Sequence, residues 1–472
     1  MKFDISIQNL GKIDSANIKL RPFTVISGAN SSGKSFVTKA LYSFFSTINT
    51  DHVTRVVRTQ LARLRLIAQA CGRELNNPSS VVSEDHRYLL EYLGDFQSFA
   101  LEELGNCTYT EQISREFVMS EHLLVLSDHV SKISDSISGT KKYEDYKESI
   151  QLISFLLKQL KEIIDTPTST LVKHVEKGFK ESLKENFQVA SLTDIKRVSS
   201  KKKDKIKFDF GSLGYIEIDN EDIAFSLRND SINDFQALYN VVFLESPIYW
   251  KLRRPLKKLK ENQGFYGRFP NFDRNDEQLT GVPKYFYDLT GLLDEKYKSN
   301  EHNQSNVDLY HQINQTIGGE LDISEDGDIC FRENQHNINI NLTATGITNL
   351  GLIGLLLKRN VIAKGSYIFV DEPEVNLHPA WQKLMVETLY KLSLNGINVV
   401  IASHSIDMIK YIENIVDTVP KDQLNEHFAI NQLSNDGISL NDDDDPLRKL
   451  ASIKSDLGAS FFDMVLDGDY GF

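Results

Sequence analysis

The chain has 472 residues, of which 40% are hydrophobic and 25% are charged, and its formal net charge is −13 at pH 7. This composition is globular and leaves room for two or three domains, and it excludes a chain coated throughout with nucleic-acid-binding charge. No apolar run reaches about 18 residues, so no membrane span is predicted, and the N-terminus lacks the apolar block of a signal peptide. The three cysteines, Cys71, Cys107 and Cys330, form no CxxC pair, which argues against structural zinc and favours a reducing cytoplasm.

Residues 1–45 have the pattern strand, turn, strand, loop and helix. Residues 23–27 form a short apolar strand that runs directly into a loop, residues 28–35, with the sequence GANSSGKS. This loop fits the phosphate-binding pattern GxxxxGK[ST], and the helical spacing of residues 35–45 supplies the helix that the pattern requires. The alternative, a surface glycine loop without a ligand, leaves the complete motif and its flanking elements unexplained.

The chemistry of the loop follows from its residue types. Gly28 and Gly33 allow the backbone amides to turn toward a triphosphate, Lys34 reaches the β- and γ-phosphates, and the Ser35 hydroxyl binds Mg²⁺. The N-terminal end of the following helix adds a positive potential. The predicted ATP-binding residues in this segment are Gly28, Asn30, Ser31, Ser32, Gly33, Lys34 and Ser35.

The middle of the chain predicts a mainly helical insertion over residues 46–235. Helical spacing marks residues 54–71, 88–104 and 143–164, and no heptad pattern persists long enough for a coiled coil. Between about 191 and 230 the pattern becomes alternating, which indicates short antiparallel strands around Gly211 and Gly214. The predicted domains are therefore an ATPase head built from residues 1–45 and 236–472, and the insertion between them.

Three apolar strands are predicted in the C-terminal part, at residues 241–244, 366–372 and 397–403. A helix over residues 379–394 separates the last two, and this βαβ order favours a parallel sheet. A strand at residues 338–342 and a helix at residues 350–357 come before them. Residues 261–306 are expected to be mostly loop with some helix, and the acidic run at residues 442–445 is expected to be a solvated loop.

Asp371 and Glu372 follow the second of these strands, at the edge where ligands bind to parallel sheets. Asp371 is the predicted Mg²⁺ ligand together with Ser35, and Glu372 is the predicted base that orients or deprotonates the attacking water. By themselves the two carboxylates could be solvated acids at a strand end. Their occurrence with the phosphate loop favours a catalytic role.

His404 follows the third strand and is predicted to contact the γ-phosphate and sense its loss. A structural histidine is the alternative, but the position one helix and one strand after Asp371 favours function. Thr345 and Gly346 precede an apolar helix and are predicted to contact phosphate there. The alternative for Thr345 is simple N-capping of that helix.

Two basic runs, residues 201–207 and 251–260, are candidates for a nucleic-acid contact. Each is more simply explained as a solvated surface. The second run is the better candidate, because Tyr249, Trp250, Phe265 and Tyr266 lie near it in sequence and aromatic side chains can stack on bases.

The order of these motifs resembles ABC-type ATPases of the SMC-like branch, in particular the OLD-like AAA-family ATPases of bacterial anti-phage defence. The resemblance covers residues 1–45 and 335–410, and its most specific parts are DEPEVNLHP at residues 371–379 and IASHS at residues 401–405. It implies an α/β fold, an ABC-type P-loop ATPase head with a mainly helical insertion. It also implies that two heads enclose two ATP molecules, with Thr345 and Gly346 completing the partner's site and residues 376–378 crossing between the sites.

The chain departs from the family pattern in two places. The signature reads Thr-Ala-Thr-Gly instead of carrying a glycine pair, and the glutamine that usually follows the first subdomain has no supported counterpart, with Gln8 and Gln236 as the only guesses. We expect no nuclease domain after the head, although Asp467 and Asp469 resemble the acidic pair of one. The resemblance therefore implies a stand-alone ATPase similar to those of the Septu and PARIS systems, where a separate effector, typically a nuclease, acts with it.

Three hypotheses of function follow. The first is an ATP-hydrolysing sensor and scaffold that dimerises or assembles further and controls an effector, with DNA or a phage protein as a possible additional partner. The second is a DNA-repair-type ATPase that acts directly on DNA, and the third is a protein that holds ATP as structural glue. Hydrolysis by a Glu372 variant separates the first from the third, and salt-sensitive duplex binding would favour the second.

Overall fold

The computed structural model of the chain describes residues 2–75, 78–105, 107–245, 247–266, 281–294, 304–324, 326–334, 336–440 and 445–469. Its strands are β1 Phe3–Leu10, β2 Ile13–Leu20, β3 Phe23–Ser27, β4 Ile206–Asp209, β5 Gly214–Asp219, β6 Asp222–Leu227, β7 Val241–Leu244, β8 Glu320–Ile323, β9 Ile329–Glu333, β10 His336–Asn339, β11 Tyr367–Asp371, β12 Asn398–Ser403 and β13 Phe428–Gln432.

The α-helices of the described residues are α1 Lys34–Ile48, α2 His52–Cys71, α3 Ser80–Gly105, α4 Tyr109–Ser114, α5 Glu116–Ser136, α6 Glu144–Asp165, α7 Pro167–Phe187, α8 Asn229–Gln236, α9 Ile248–Lys251, α10 Arg253–Tyr266, α11 Lys284–Asp294, α12 Gln304–Ile317, α13 Thr345–Lys358, α14 Pro379–Leu394, α15 Ile406–Val416, α16 Lys421–His427 and α17 Pro446–Asp469. No helix in these ranges is long and apolar enough to cross a membrane.

A five-stranded parallel sheet forms the centre of the first compact unit. Its strand order is β13-β3-β12-β11-β7, and every neighbouring pair is parallel. The strands are mainly apolar and are buried along their whole length, as parallel strands covered by helices must be. The predicted βαβ unit is confirmed, with β11, α14 and β12 in that order, and the strand at residues 241–244 returns to this sheet as predicted.

A second sheet of the same unit is antiparallel, with the order β2-β1-β4-β5-β6. The predicted strands around Gly211 and Gly214 are confirmed as β4 and β5, but they belong to a different part of the fold than predicted. They were assigned to the insertion, whereas β4 pairs with β1 and places Phe208 opposite Ile7. The apolar side of β4, Ile206 and Phe208, requires a partner sheet, and β1 offers a free edge on the side away from β2.

The chain divides into two compact units. The first contains residues 1–49, 179–227 and 238–472, and the second contains residues 50–178 and 228–237. The described residues of the second unit form helices joined by turns, and the core is formed by inward-facing side chains of α2, α3, α5 and α6, including Leu61, Leu93, Leu126 and Leu157. These helices include the three predicted from periodicity, so the α/β fold class with a mainly helical insertion is confirmed.

Helix α1 is buried between the two sheets of the first unit. Phe45 stacks on Tyr367 of the parallel sheet with ring centroids 4.9 Å apart, and it meets Phe3 of the antiparallel sheet at 5.5 Å. Phe44 lies 4.8 Å from Phe210, which directly follows β4. Both phenylalanines are at most 1% exposed. The helix that begins at the phosphate loop is therefore packed on two sides.

Two smaller predictions differ from the structure. The strand expected at 338–342 ends at Asn339, and Ile340–Leu342 is a short 3-10 helix. Helix α13 begins at Thr345, before the expected start at residue 350. The region 261–306, expected to be mostly loop with some helix, contains α11, while its residues 267–280 and 295–303 lie outside the described residues, as do residues 442–444 of the acidic run.

Candidate nucleotide-binding and hydrolysis site

The phosphate loop joins β3 to α1 through a sharply turned backbone. Gly33 caps α1 with φ of 100°, a left-handed conformation that favours glycine, and a Cβ there would lie 2.6 Å from Ile13. A Cβ on Gly28 would lie 2.4 Å from the carbonyl oxygen of Leu433. The two glycines of the motif are therefore required by close packing as well as by conformation.

The loop residues divide into an exposed rim and a buried floor. Asn30 and Ser31 are exposed, while Ser32 is buried and its Oγ has no hydrogen-bond partner among the described atoms. The Lys34 ammonium is 4% exposed and donates to the carbonyl oxygens of Gly28 and Ala29, at 2.9 and 3.0 Å. Burial lowers the pKa of Lys34, and the nearby Glu372, Asp371 and Glu374 oppose that shift. A buried cation and a free hydroxyl thus line the floor of the loop.

Asp371 ends β11 beside Ser35. The carboxylate is 4% exposed, and burial raises its pKa to about 7, with the Ser35 hydrogen bond opposing and Glu245 reinforcing the shift. Its Oδ1 is buried without a hydrogen-bond partner in the described part of the chain. A hydroxyl and a carboxylate with an unsatisfied oxygen are hard-oxygen ligands of the kind that Mg²⁺ takes. Ser35 and Asp371 therefore fit the predicted metal site.

Glu372 sits at a strained position next to His404. Its φ is 51°, which is unusual for a residue with a side chain, and its backbone N–H donates to the Ala402 carbonyl at 2.9 Å. The Glu372 side chain is 42% exposed. The His404 Nδ1 lies 3.5 Å from Glu372 Oε1 and 3.4 Å from Glu374 Oε1, and neither contact has hydrogen-bond geometry.

The parallel sheet brings these predicted residues together. β3 leads into the loop, β11 ends at Asp371 and β12 ends just before His404, and the three strands are neighbours in the sheet. A cavity of about 280 Å³ opens here, and its lining includes Ser35, Glu245, Asn349, Asp371 and Glu372. The carboxyl ends of parallel strands form such a crevice in α/β proteins.

Thr345 and Gly346 occupy the first turn of α13. Ala344 holds the N-cap position, so N-capping by Thr345 is not observed. A Cβ on Gly346 would meet Leu377 at 3.0 Å and Trp381 at 3.3 Å, so this glycine packs against the turn after β11. Within the described residues, no contact recorded for either residue reaches the phosphate loop, whereas Asn349, one turn later, lines the cavity.

The turn implied to cross between two sites, residues 376–378, has an exposed start and an anchored end. Asn376 has φ of 60° and is exposed, while Leu377 is buried. His378 caps α14, since its Nδ1 accepts a bond from the Ala380 N–H at 3.3 Å. Pro379 then occupies the first turn of α14, where its missing N–H costs nothing.

Sequence reasoning missed two carboxylates at the site. Glu245 directly follows β7, next to β11, where it lies 3.0 Å from Lys39 Nζ and accepts a hydrogen bond from Tyr285. Glu374 is 8% exposed and accepts bonds from Ser403 Oγ and the His404 N–H, at 2.8 and 3.0 Å. An apolar strand followed by an acid was the signal for Asp371, and the same signal was present at Glu245.

Neither guess for the missing glutamine lies at the site. Gln8 is an exposed residue of β1, and Gln236 belongs to α8 of the helical unit, where it bonds to the Thr50 carbonyl. Glu245 instead occupies the strand end beside Asp371.

The second basic run is compensated within the chain. Arg253 and Lys257 both pair with Asp294, and Arg254 pairs with Asp328 at 3.1 Å. In the first run, Lys205 pairs with Glu217 at 3.0 Å. Positive charge that already faces carboxylates contributes less to phosphate binding, so these contacts give no support to a nucleic-acid site. The side chains of Phe265 and Tyr266 lie outside the described residues.

Comparison with known proteins identifies the family. Residues 1–409 match the family model of the AAA ATPase domain. The chain belongs to this family. A search of curated protein sequences found no significant match.

Solved structures similar to the chain include heads of SMC proteins. They include an SMC head bound to the C-winged helix domain of ScpA, with 10% identity, 93% of this chain and 95% of that chain covered, and a TM-score of 0.36. The SMC head domain from Thermotoga maritima gives 10% identity, coverages of 87% and 91%, and a TM-score of 0.32. An SMC head domain with a coiled coil and joint derived from Pyrococcus yayanosii gives 12% identity, coverages of 96% of this chain and 99% of that chain, and a TM-score of 0.31. The family assignment rests on the sequence match.

The buried Asp371 carboxylate predicts a pH-dependent stability. Its pKa of about 7 lies above the ordinary value of 3.8 for aspartate, so ionisation costs the folded state nothing below about pH 4, and the full cost is present only above pH 7. Asn at this position carries no charge and keeps an acceptor for Ser35. We expect the free energy of unfolding of Asp371→Asn near pH 8 to exceed that of wild type by up to about 4 kcal/mol, at roughly 1.36 kcal/mol per pKa unit. The melting temperature of the variant should therefore be higher.

The measurement is thermal unfolding of the nucleotide-free protein in a metal chelator, at about pH 4 and about pH 8. The gain should disappear at the lower pH. Asp234→Asn, at an exposed position of α8, is the matched control and should show no such pH-dependent gain. Equal stability of Asp371→Asn and wild type near pH 8 would contradict the buried, partly protonated carboxylate.

Proposed function

We propose that the chain binds and hydrolyses ATP at this site, giving ADP and phosphate. The observation that carries the proposal is the convergence of Lys34, Ser35, Asp371 and Glu372 on one edge of the parallel sheet, beside a cavity. The family match to an AAA ATPase domain supports nucleotide binding. The runner-up, direct action on DNA, receives no support from the compensated basic runs.

The loop and α1 bind the triphosphate. Lys34 is held by two loop carbonyls at 2.9 and 3.0 Å, and phosphate oxygens would take over these bonds with a stronger, charge-assisted geometry. The buried Ser32 hydroxyl offers a further donor. Ser35 and Asp371 would hold Mg²⁺, which neutralises charge on the β- and γ-phosphates.

Glu372 acts as the base. Its carboxylate is at the cavity and 42% exposed, so a water molecule can reach it. Glu372 takes a proton from that water as the oxygen bonds to the γ-phosphorus and the bond to the bridging oxygen of ADP breaks. His404 lies beside Glu372 and fits the predicted contact to the γ-phosphate.

Replacement of Glu372 by Gln should separate hydrolysis from binding. The amide keeps the shape of the side chain but accepts no proton, so we expect kcat to fall by about 10²- to 10⁴-fold. Binding of ATP should persist, because Lys34 and the loop are untouched. The measurements are phosphate release and binding of a fluorescent ATP analogue. Glu387→Gln, at an exposed position on α14, is the matched control, and unchanged hydrolysis in Glu372→Gln would refute the base assignment.

We further propose that two heads associate around ATP. The support is the position of Thr345 and Gly346, which lie on the first turn of α13 and have no recorded contact with the phosphate loop of their own chain in the described ranges. Such residues are available to a second copy's site. The resemblance to SMC-like heads implies this arrangement.

The mass of the purified chain tests association. We expect Glu372→Gln to form a dimer or larger assembly with ATP and Mg²⁺, because the nucleotide is retained, and to revert when ATP is removed. Thr345→Ala in the same background should weaken the assembly while the monomer still binds ATP. A monomer in every state would contradict association of two heads of this chain alone.

We propose in addition that the ATPase serves anti-phage defence with a separate effector subunit, a nuclease in the simplest case. The support is the DEPEVNLHP segment and exposed apolar side chains on α5 of the helical unit, where Phe117 is 72% and Leu124 is 50% exposed. Contiguous exposed apolar side chains are typical of protein-binding surfaces, and Phe117 and Leu124 lie about two helical turns apart on α5.

Phage challenge of cells carrying the chain with its neighbouring genes tests the defence role. Protection should be lost with Glu372→Gln, because the sensor cannot turn over, and should be kept with the control Glu387→Gln. Equal phage growth with and without the intact gene set would contradict the role.

A further inference from the structure

Glu374 is a buried carboxylate that none of the roles above uses. Its side chain is 7% exposed, and burying a carboxylate costs free energy unless it gains partners. A single oxygen, Oε1, accepts both the Ser403 hydroxyl and the His404 N–H, while Oε2 is buried without a hydrogen-bond partner among the described atoms. A carboxylate placed at this cost requires an explanation.

The basic side chain beside Glu374 is a histidine, which carries a positive charge only when it is protonated. Within the described ranges, the one basic side chain recorded at ion-pair distance from Glu374 is His404, at 3.4 Å from Nδ1 to Oε1. The same nitrogen lies 3.5 Å from Glu372 Oε1 and is buried. An approach of about 0.5 Å toward either carboxylate would give a hydrogen bond of ordinary length. The two carboxylates therefore compete for one Nδ1–H.

Burial decides this competition. The Glu374 side chain is 7% exposed and that of Glu372 is 42% exposed. A charge-assisted hydrogen bond is stronger where water is excluded, so Nδ1–H is held better by Glu374. The bond from the His404 backbone N–H to Oε1 holds the backbone of His404 beside Glu374.

We infer that Glu374 is a positioning residue for hydrolysis: it anchors the Ser403–His404 turn and holds the His404 Nδ1–H, which leaves the Glu372 carboxylate free to accept a proton from water. This inference rests on the proposed ATP hydrolysis. Without the Glu374 charge, Nδ1–H would turn to Glu372 and occupy the lone pair that the base needs. Glu374 itself touches neither the water nor the nucleotide in this scheme.

Glu374→Gln tests the charge while keeping the shape. The amide oxygen can still accept from Ser403 and the His404 backbone, so the turn should remain anchored. We expect kcat to fall on the order of tenfold with little change in KM, because ATP binding does not involve Glu374. In a His404→Ala background the same change should cost almost nothing more, since the effect passes through the imidazole. Glu387→Gln is the control in both backgrounds.

Two outcomes would overturn the inference. One is a kcat for Glu374→Gln equal to that of Glu387→Gln, and the other is an equal loss in the wild-type and His404→Ala backgrounds. If Glu374→Gln does not fold, Ser403→Ala removes one anchoring bond and keeps the charge. It should give a smaller loss of kcat that also vanishes without His404, and a loss that persists there would equally overturn the inference.

A readout that does not need hydrolysis separates this inference from the proposed function. The ¹⁵N signals of the His404 ring, assigned by comparison with His404→Ala, report which nitrogen carries the proton. We expect a protonated Nδ1 in wild type, a shifted signal in Glu374→Gln and no shift in Glu387→Gln. An unshifted His404 signal in Glu374→Gln overturns the inference even if the protein hydrolyses ATP. Absence of hydrolysis in wild type with the expected signals refutes only the proposed function.

Discussion

The burial of α1 between two sheets is the constraint on which the site depends. Phe44 contacts the antiparallel side and Phe45 contacts both sheets, so the helix cannot slide or rotate without opening two apolar interfaces. Lys34 and Ser35 begin this helix, and their distance from Asp371 is therefore fixed by the core. A phosphate loop on a loosely packed helix would have the same sequence and a less defined geometry.

The parallel sheet brings segments that are far apart in the sequence close together at one edge. β12 lies between β3 and β11, so the loop after β3, the acids after β11 and the histidine after β12 open on one edge. β7 joins the other side of β11 and adds Glu245 to the same edge. Because all five strands run in one direction, every segment that follows a strand is delivered to the same crevice. Both segments of the helical unit lie between β3 and β7 in the sequence.

Local sequence patterns predicted the helices and strands whose formation depends on neighbouring residues, but not the pairing of strands far apart in the chain. Residues 379–394 form α14 as expected, because helical spacing follows a proline at the first turn, and the apolar stretch 241–244 is β7. The pairing of β4 with β1 was not predictable, since alternation shows that a strand needs a partner but not which edge accepts it. The strand expected at 338–342 ends at Asn339, because the Asn339 side chain accepts a hydrogen bond from the Asn341 N–H and the backbone turns there.

The candidate site shows the same division. The phosphate loop, Asp371, Glu372 and His404 were predictable because each lies at the end of an apolar strand, whereas Glu374 lies inside a turn and gains its partners from Ser403 and the His404 backbone. No spacing rule connects residue 374 with residue 403. Such contacts depend on the register of β11 against β12, which places Asp371 opposite Ala402.

The charges of the site set a condition on its ligand. Glu245, Asp371, Glu372 and Glu374 surround Lys34 and Lys39, and the pKa of Asp371 is raised by burial first and by neighbouring carboxylates in addition. A triphosphate alone would bring more negative charge into this crevice. A triphosphate that arrives with a divalent cation removes the repulsion at Asp371 and leaves its anionic oxygens to Lys34. The crowded carboxylates therefore favour a metal–nucleotide complex over either component, and a bound cation would favour the ionised form of Asp371.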